Sequence, residues 1–434
     1  MKKGGRNRAA LVRSGLRVAL AAGLCASPAR AQVEPLKPAI VATCSPGAVQ
    51  IGSEPLQRVP NPIAFALQRS GPGSMIQVQP GDYPSFAVGF DKQSPWNART
   101  SGGTAGQPVV VRGLGGVRIR RSGNDTIAIS QGVRNGHITF ENLEIEPGDR
   151  AGIMFYKCGP NQMHEGYRFY DCDILGAWDH RTASGVTSKW GVWGHSLKDF
   201  EFKGRTRPAR IENLRHEHGF YLQNPRGDMT IENVAAARLG RTFCQFTARA
   251  NEGPEGVGTI TVRNCRVTDC CIAAGDNYKG GSAFTVAGRI TGTVVFERNV
   301  YRSGFDHEIA RLTRPESPFG TGALVCWDAG GAPNGTLVLR DNDFELAPSC
   351  GDRSLVSIGG CRSLRIEGKN RFVSGGGVAA LELDPMNGEH TQNSPIGEVR
   401  IAPSTVIEGE VRSRGKTLDE KALAALAGAA GKSR

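Results

Sequence analysis

Apolar residues recur along this chain in short runs that alternate with polar ones, and one arrangement keeps returning. An apolar-x-apolar strand is followed by a charged residue, then Asn or Asp, then a second short strand. It reads "ITFENLEI" at Ile138–Ile145, "YRFYDCDI" at Tyr167–Ile174, "ARIENLRH" at Ala209–His216, "MTIENVAA" at Met229–Ala236 and "ITVRNCRV" at Ile260–Val267. Looser copies start at Val294, Leu337, Leu364 and Val399. A further strand of about five residues, alternating with period two, precedes most copies. Examples are "TIAIS" from Thr126, "GIMFY" from Gly152, "GVWGH" from Gly191, "GFYLQ" from Gly219 and "FCQFT" from Phe243. Gly-rich turns separate the strand types.

Nothing between residues 75 and 411 keeps a helical period. Copies spaced roughly 20 to 45 residues apart are the mark of a solenoid. The pattern therefore predicts an all-β chain folded as a right-handed parallel β-helix. The Asn or Asp fits a tight corner, where it tolerates left-handed backbone angles. Phe140, Ile211, Ile231, Val262, Leu339 and Ile366 are expected to stack inward as one core row.

The ends read differently. Asn61-Pro62 forms a cap and first turn, and Ile63, Phe65, Ala66 and Leu67 give an apolar helical side. After Gly71-Pro72-Gly73 comes "MIQVQPGDY". This capping helix and first coil resemble the opening of the pectate-lyase-like superfamily of right-handed β-helix proteins. The resemblance covers roughly Pro62 to Gly409. It implies the fold, and leaves chemistry open among lyases, hydrolases, epimerases and non-catalytic proteins. At the other end "TLDEKALAALAGAAG" predicts a helix or a tail, with a Thr417/Glu420 capping box. The expected organisation is a signal peptide at 1–31, an extended segment at 32–61, the β-helix at 62–412 and the terminal helix or tail at 413–434.

The leader sets the compartment. Six basic residues precede the apolar run Val18–Cys25, and Ala29-Arg30-Ala31 supplies a cleavage site after Ala31. The chain is expected to be secreted or periplasmic. Formal charge falls from +12 to +5 when the seven basic residues of the leader are removed. That argues against nucleic acid as partner and is compatible with an acidic glycan. No apolar stretch reaches 18 residues, so no membrane span is expected. A monomer is expected. Eleven cysteines include Cys25 in the leader. The remaining ten permit disulfides in an exported chain, Cys158/Cys172 and Cys350/Cys361 being local candidates, or stand as buried thiols.

Candidate chemistry comes from the strand register. With Phe220 and Leu222 inward, Tyr221 and Gln223 point outward. The same register turns out Met154 and Tyr156, Trp193 and His195, and Gln245 and Thr247 on neighbouring coils, with Arg249 beyond them. Coils about 4.8 Å apart make this a patch about 15 Å long. His216, His218 and Arg241 flank it, as does the loop carrying Trp178. Aromatic faces suit sugar rings, and basic groups suit a uronate carboxylate. His195 and Tyr221 are the candidate acid–base pair, Arg241 the carboxylate neutraliser, and His216 and His218 further catalytic candidates. Tyr156, Trp193, Gln223, Gln245, Arg249 and Trp178 are candidate substrate contacts.

Family motifs are only partly present. "WDHR" at Trp178–Arg181 lacks a residue of the calcium-dependent pectate lyase segment, and "RTRPAR" at Arg205–Arg210 does not match their arginine motif. The paired-aspartate signature of polygalacturonases is absent. Asp171 and Asp173 are either a corner pair or a calcium-binding pair, which leaves calcium as a candidate cofactor. The expected function is a polysaccharide lyase acting on a uronate-containing, anionic glycan. The alternatives are a glycoside hydrolase with two facing carboxylates and a non-catalytic glycan-binding protein.

Overall fold

Three long sheets, in which almost every neighbouring pair of strands is parallel, run along the molecule, and the chain visits them in the same order in every coil. One coil, for example, places Ile138–Glu141 in the first sheet, Glu144–Ile145 in the second and Ala151–Phe155 in the third. The next repeats this with Arg168–Tyr170, Asp173–Leu175 and Trp190–His195. The fold is all-β and solenoid-like. The computed structural model describes residues 37–90, 96–98, 100, 102–130, 136–158, 162–177, 190–214, 217–248, 257–271, 281–303, 321–328, 332–347, 354–375, 378–385 and 394–428. The leader and its cleavage site lie outside these residues, as do Trp178, His216, Arg249 and Cys350.

The inward row of the first sheet runs Phe140, Phe169, Phe202, Ile231, Val262, Phe296, Leu339, Ile366 and Ile401, each in register with the next. All are buried. Five of the six residues expected in that row are there. Ile211 is also buried but belongs to the second sheet, in register with Ile174 and Ala236. The first-sheet strand of its coil is Leu197–Lys203 instead. "ARIENL" mimics the repeat because Asn213, with φ 60°, uses the same left-handed corner at the end of a different sheet.

The Asn/Asp position proves to be two positions. Asn142, Asp171, Asn233, Asn264 and Asp341 take left-handed φ of 52–56° at the corner, as expected. In "ERNV" that corner is Arg298 (φ 51°), and Asn299 is the next residue, buried inside the coil. Asn342 and Asn370 stack on it. Earlier coils fill the equivalent interior place with Leu143, Cys172, Val234 and Cys265, all buried.

Outward from the first sheet, a charged row alternates in sign along its length. Lys203, Glu232, Arg263, Glu297, Arg340 and Glu367 are successive register partners. Opposite charges directly across from each other favour this register over a slipped one.

Residues 41–58, expected as part of an extended lead-in, form three short strands. Val41–Ser45 pairs in parallel with Met75–Val78 and antiparallel with Ala48–Ile51. Helix α1, Pro62–Arg69, follows. Asn61 caps it by accepting the Ala64 N–H at 3.1 Å, and ties it to the first coil through its amide to the Ser85 carbonyl. Ile63, Ala64, Ala66 and Leu67 are the buried side. Phe65 is only half-buried, with Arg69 lying 3.6 Å above its ring. Helix α2 spans Glu420–Gly428. Its cap is Asp419, which accepts the Ala422 N–H at 2.7 Å, rather than the expected Thr417/Glu420 box. Thr417 is instead held in the antiparallel pairing of Val411–Ser413 with Lys416–Thr417.

No disulfide forms among the described residues. Cys158 and Cys172 are separate buried thiols, as are the seven other described cysteines. Burial pushes the Cys158 thiol up to about 11 and the Cys44 and Cys172 thiols up to about 12. No described helix is long and apolar enough to cross a membrane.

Candidate functional site

The third sheet carries the candidate residues, and its register is the expected one. Met154, Trp193, Tyr221, Gln245 and Thr285 are consecutive partners across five coils. His195, Gln223 and Thr247 form the parallel row two residues on. Inward neighbours Val192, Phe220, Leu222, Cys244 and Phe246 are buried and fix which way the rows point. Gly194 fills a tight place between them. A Cβ there would lie 2.4 Å from Leu197 Cδ1 and 2.9 Å from Leu222 Cδ2.

Trp193 and Tyr221 belong to a longer aromatic series. Trp190 packs on Trp193 with centroids 4.4 Å apart, Trp193 lies 6.3 Å from Tyr221, and Tyr221 stacks on His218 at 4.9 Å and 20°. The two tryptophans and Tyr221 are half-buried rather than covered. Amides knit the series together. Trp193 Nε1 donates to Gln223 Oε1 at 3.3 Å, and Gln223 Nε2 donates to the Tyr221 hydroxyl at 2.8 Å. Gln245 shares a hydrogen bond with His218 Nε2 at 2.9 Å and donates to Thr247 Oγ1 at 3.0 Å.

Both candidate histidines on the described chain are largely covered. His195 is 9% exposed, and its Nδ1 meets Ser196 Oγ at 2.9 Å. His218 is 3% exposed, held between Gln245 and the Glu217 carboxylate, 3.1 Å from its Nδ1. Arg241 reaches the same Glu217 oxygen at 2.9 Å. The expected carboxylate neutraliser is thus itself paired with a carboxylate. His216, Arg249 and Trp178 lie outside the described residues and are not placed.

Tyr156 stands at the start of the site, and its setting was not visible from the sequence. Its hydroxyl donates to Asp125 Oδ2 at 2.8 Å, and Arg150 donates to both groups. Phe90 meets its ring edge-on at 5.2 Å. Burial, followed by the Asp125 hydrogen bond, raises the Tyr156 pKa above the usual phenol range. The Asp125 side chain is only 4% exposed. Asp125 and Arg150 flank strands on adjacent coils, since Asp125 is the partner of Ala151. A signal did exist in that opposite-charge pairing across the repeat. Glu217, between the two histidines of "HEH", is a second carboxylate partner that strand alternation does not reveal.

The other polar candidates are structural. Asp173 binds Arg207 at 2.7 Å and Arg210 at 2.8 Å. Asp171 accepts the backbone N–H groups of Arg205 and Thr206 at 2.6 and 3.0 Å, and the Thr206 hydroxyl at 2.9 Å. These donors hold the Asp171 pKa below the usual carboxylate range, against the opposing effect of burial, its largest single influence. A calcium ion on this pair would have to displace those donors, so the pair fits the corner reading rather than a cation site. Asp228, inside the strand Arg226–Glu232, accepts the Thr259 N–H at 2.8 Å.

No protein-family model matches this chain, and no curated protein sequence matches it. Among solved structures, it is similar to an alginate lyase from Paenibacillus sp. str. FPU-7, at 14% identity and a TM-score of 0.40. That match covers 69% of this chain and 95% of the lyase. It is also similar to the Agl-KA catalytic domain, at 10% identity and a TM-score of 0.30, over 79% of this chain and 60% of that one. At these values neither likeness decides the chemistry, which has to be read from the third sheet itself.

Proposed function

We propose that this is an exported, carbohydrate-active, right-handed β-helix protein of the pectate-lyase-like superfamily that acts as a polysaccharide lyase. The observation that carries the reading is the outward row of the third sheet. Trp190 packs on Trp193 within one strand, and Trp193, Tyr221 and Gln245 follow one another across successive coils, with Thr247 beside them. Half-buried rings followed by amides and a hydroxyl suit a chain of sugar rings, each presenting one apolar face and several hydroxyls.

In the lyase reaction a base removes the proton on C5 of a uronate, the C4–O bond breaks, and a C4=C5 double bond forms. The leaving oxygen takes a proton from the acid. His195 and Tyr221 are the pair assigned to these transfers. Tyr221 is oriented by the Gln223 amide, and His195 is the register partner of Gln223. A screen of uronate-containing polymers, read by absorbance of the unsaturated product, tests the reading. His195→Ala and Tyr221→Phe should each lower turnover at least ~100-fold. Full activity in both would remove the assignment.

One observation favours a second reading, glycan binding without catalysis. Arg150 and Arg241 are both tied to carboxylates, so neither stands ready to meet a uronate. Binding to polysaccharide with no unsaturated product would decide for it.

A further inference from the structure

The described charges beside the aromatic row cancel locally. Arg150 makes a two-pronged contact with Asp125, and Arg241 is 2.9 Å from Glu217. Asp125 is nearly covered and Glu217 partly so. These pairs are therefore less screened than pairs on an open surface. A carboxylate set against Trp193 and Tyr221 would lose hydration. It would gain a cation only by pulling an arginine from its partner, leaving a partly buried acid behind. The remaining polar groups on the row are the His195 imidazole, the amides of Gln223 and Gln245 and the Thr247 hydroxyl, and the amides and hydroxyl match sugar hydroxyls.

We infer that the Trp190–Tyr221 row is a subsite for uncharged sugar rings. The inference rests on the carbohydrate reading above and deepens it. The polymer is one that places neutral residues on this row, and a uronate would react only off it, so this subsite and proton transfer by Tyr221 exclude each other. A homopolyuronate, with a carboxylate on every ring, would set one against Trp193 and Tyr221.

Affinity electrophoresis of the full chain tests this, in gels cast with uncharged polymers (a β-glucan, a mannan, a galactan and a xylan) or with homopolyuronates (alginate and polygalacturonate). Each gel is run at low salt and at ~0.5 M salt. The expected result is retardation by at least one uncharged polymer, unchanged by salt. Trp193→Ala should weaken it about 10-fold or more, and Trp193→Tyr should retain most of it. Circular dichroism of both variants checks the fold. Retardation by homopolyuronates alone would overturn the neutral subsite and leave the carbohydrate reading standing. Equal retardation of Trp193→Ala and the parent protein by an uncharged polymer would overturn the assignment of the row. Retardation by no polymer would remove both readings.

Discussion

Asn299 gives both its backbone N–H, at 3.0 Å, and its side-chain amide, at 3.1 Å, to Oδ1 of Asn342. Asn342 repeats both bonds to Asn370 at the same distances. Each side-chain amide also reaches a carbonyl of the first sheet, those of Val262, Phe296 and Leu339. All three side chains are buried, so none of these groups has water to fall back on. Asn342→Ala removes the acceptor of two donors and the donor to Phe296. Chemical denaturation should show a loss of about 2–4 kcal/mol, from several buried groups left unpaired. A loss below ~1 kcal/mol would mean that the column contributes no cooperative stability.

Stability should fall on mild acidification because of His164. Burial pulls its pKa down to about 4, against an ordinary value of 6.5. Its Nε2 contacts the Tyr156 carbonyl at 2.8 Å and the Cys158 thiol at 3.1 Å. Between these two pKa values the unfolded chain binds a proton that the folded chain does not. Stability contributed by the neutral ring is therefore complete above about pH 6.5 and declines as pH falls toward about 4. The full effect is about 3 kcal/mol. Denaturant midpoints across this range should show the slope, and His164→Gln should flatten it. An unchanged slope in His164→Gln would assign the acid sensitivity to other groups.

The described thiols should be inert in the folded state. All nine are buried, and burial makes the thiolate costly at Cys44, Cys158 and Cys172. A thiol reagent should label the folded protein slowly and the denatured protein fully. Reductant should leave Tm unchanged. A drop in Tm on reduction would reveal a cross-link that contributes to stability.

These cases also show what the sequence could and could not disclose. Period-two alternation located Phe140, Ile231, Val262, Leu339 and Ile366, because an inward residue must be apolar in every coil. It misplaced Ile211, because a corner asparagine after an apolar-x-apolar pair serves more than one sheet. It merged Asn264 with Asn299, although one bends the backbone and the other bonds through its side chain. On the third sheet the register of Trp193, Tyr221 and Gln245 was legible from alternation alone. The partners of Arg150 and Arg241 were not. Asp125 lies on an earlier coil, and Glu217 was hidden beside histidines that drew the chemical interest.

The charged row of the first sheet gives a register test. Arg263 lies between its partners Glu232 and Glu297 and binds Glu232 at 2.8 Å. Arg263→Glu would set three carboxylates side by side. The pairs are partly exposed, so the expected cost is modest, about 1–2 kcal/mol, and smaller in high salt. Thermal melts at two ionic strengths would measure it. A salt-independent loss would point to lost packing of the arginine stem instead.

The Glu217–Arg241 pair offers the sharpest test of charge selection. Glu217 Oε2 holds Arg241 Nη1 at 2.9 Å and His218 Nδ1 at 3.1 Å. Glu217→Gln keeps the size of the side chain and removes its negative charge. The described row then loses one negative charge beside Tyr221, which stacks on His218. A carboxylate that draws on Arg241 then no longer leaves Glu217 behind as a partly buried acid. Homopolyuronates should then retard the variant several-fold more strongly than the parent at low salt, and the gain should vanish near ~0.5 M salt. Retardation by uncharged polymers should stay within ~2-fold of the parent, since the rings and the Gln223 amide are untouched. If homopolyuronate affinity does not rise in Glu217→Gln, the pairing of Arg241 is not what keeps uronates off the row.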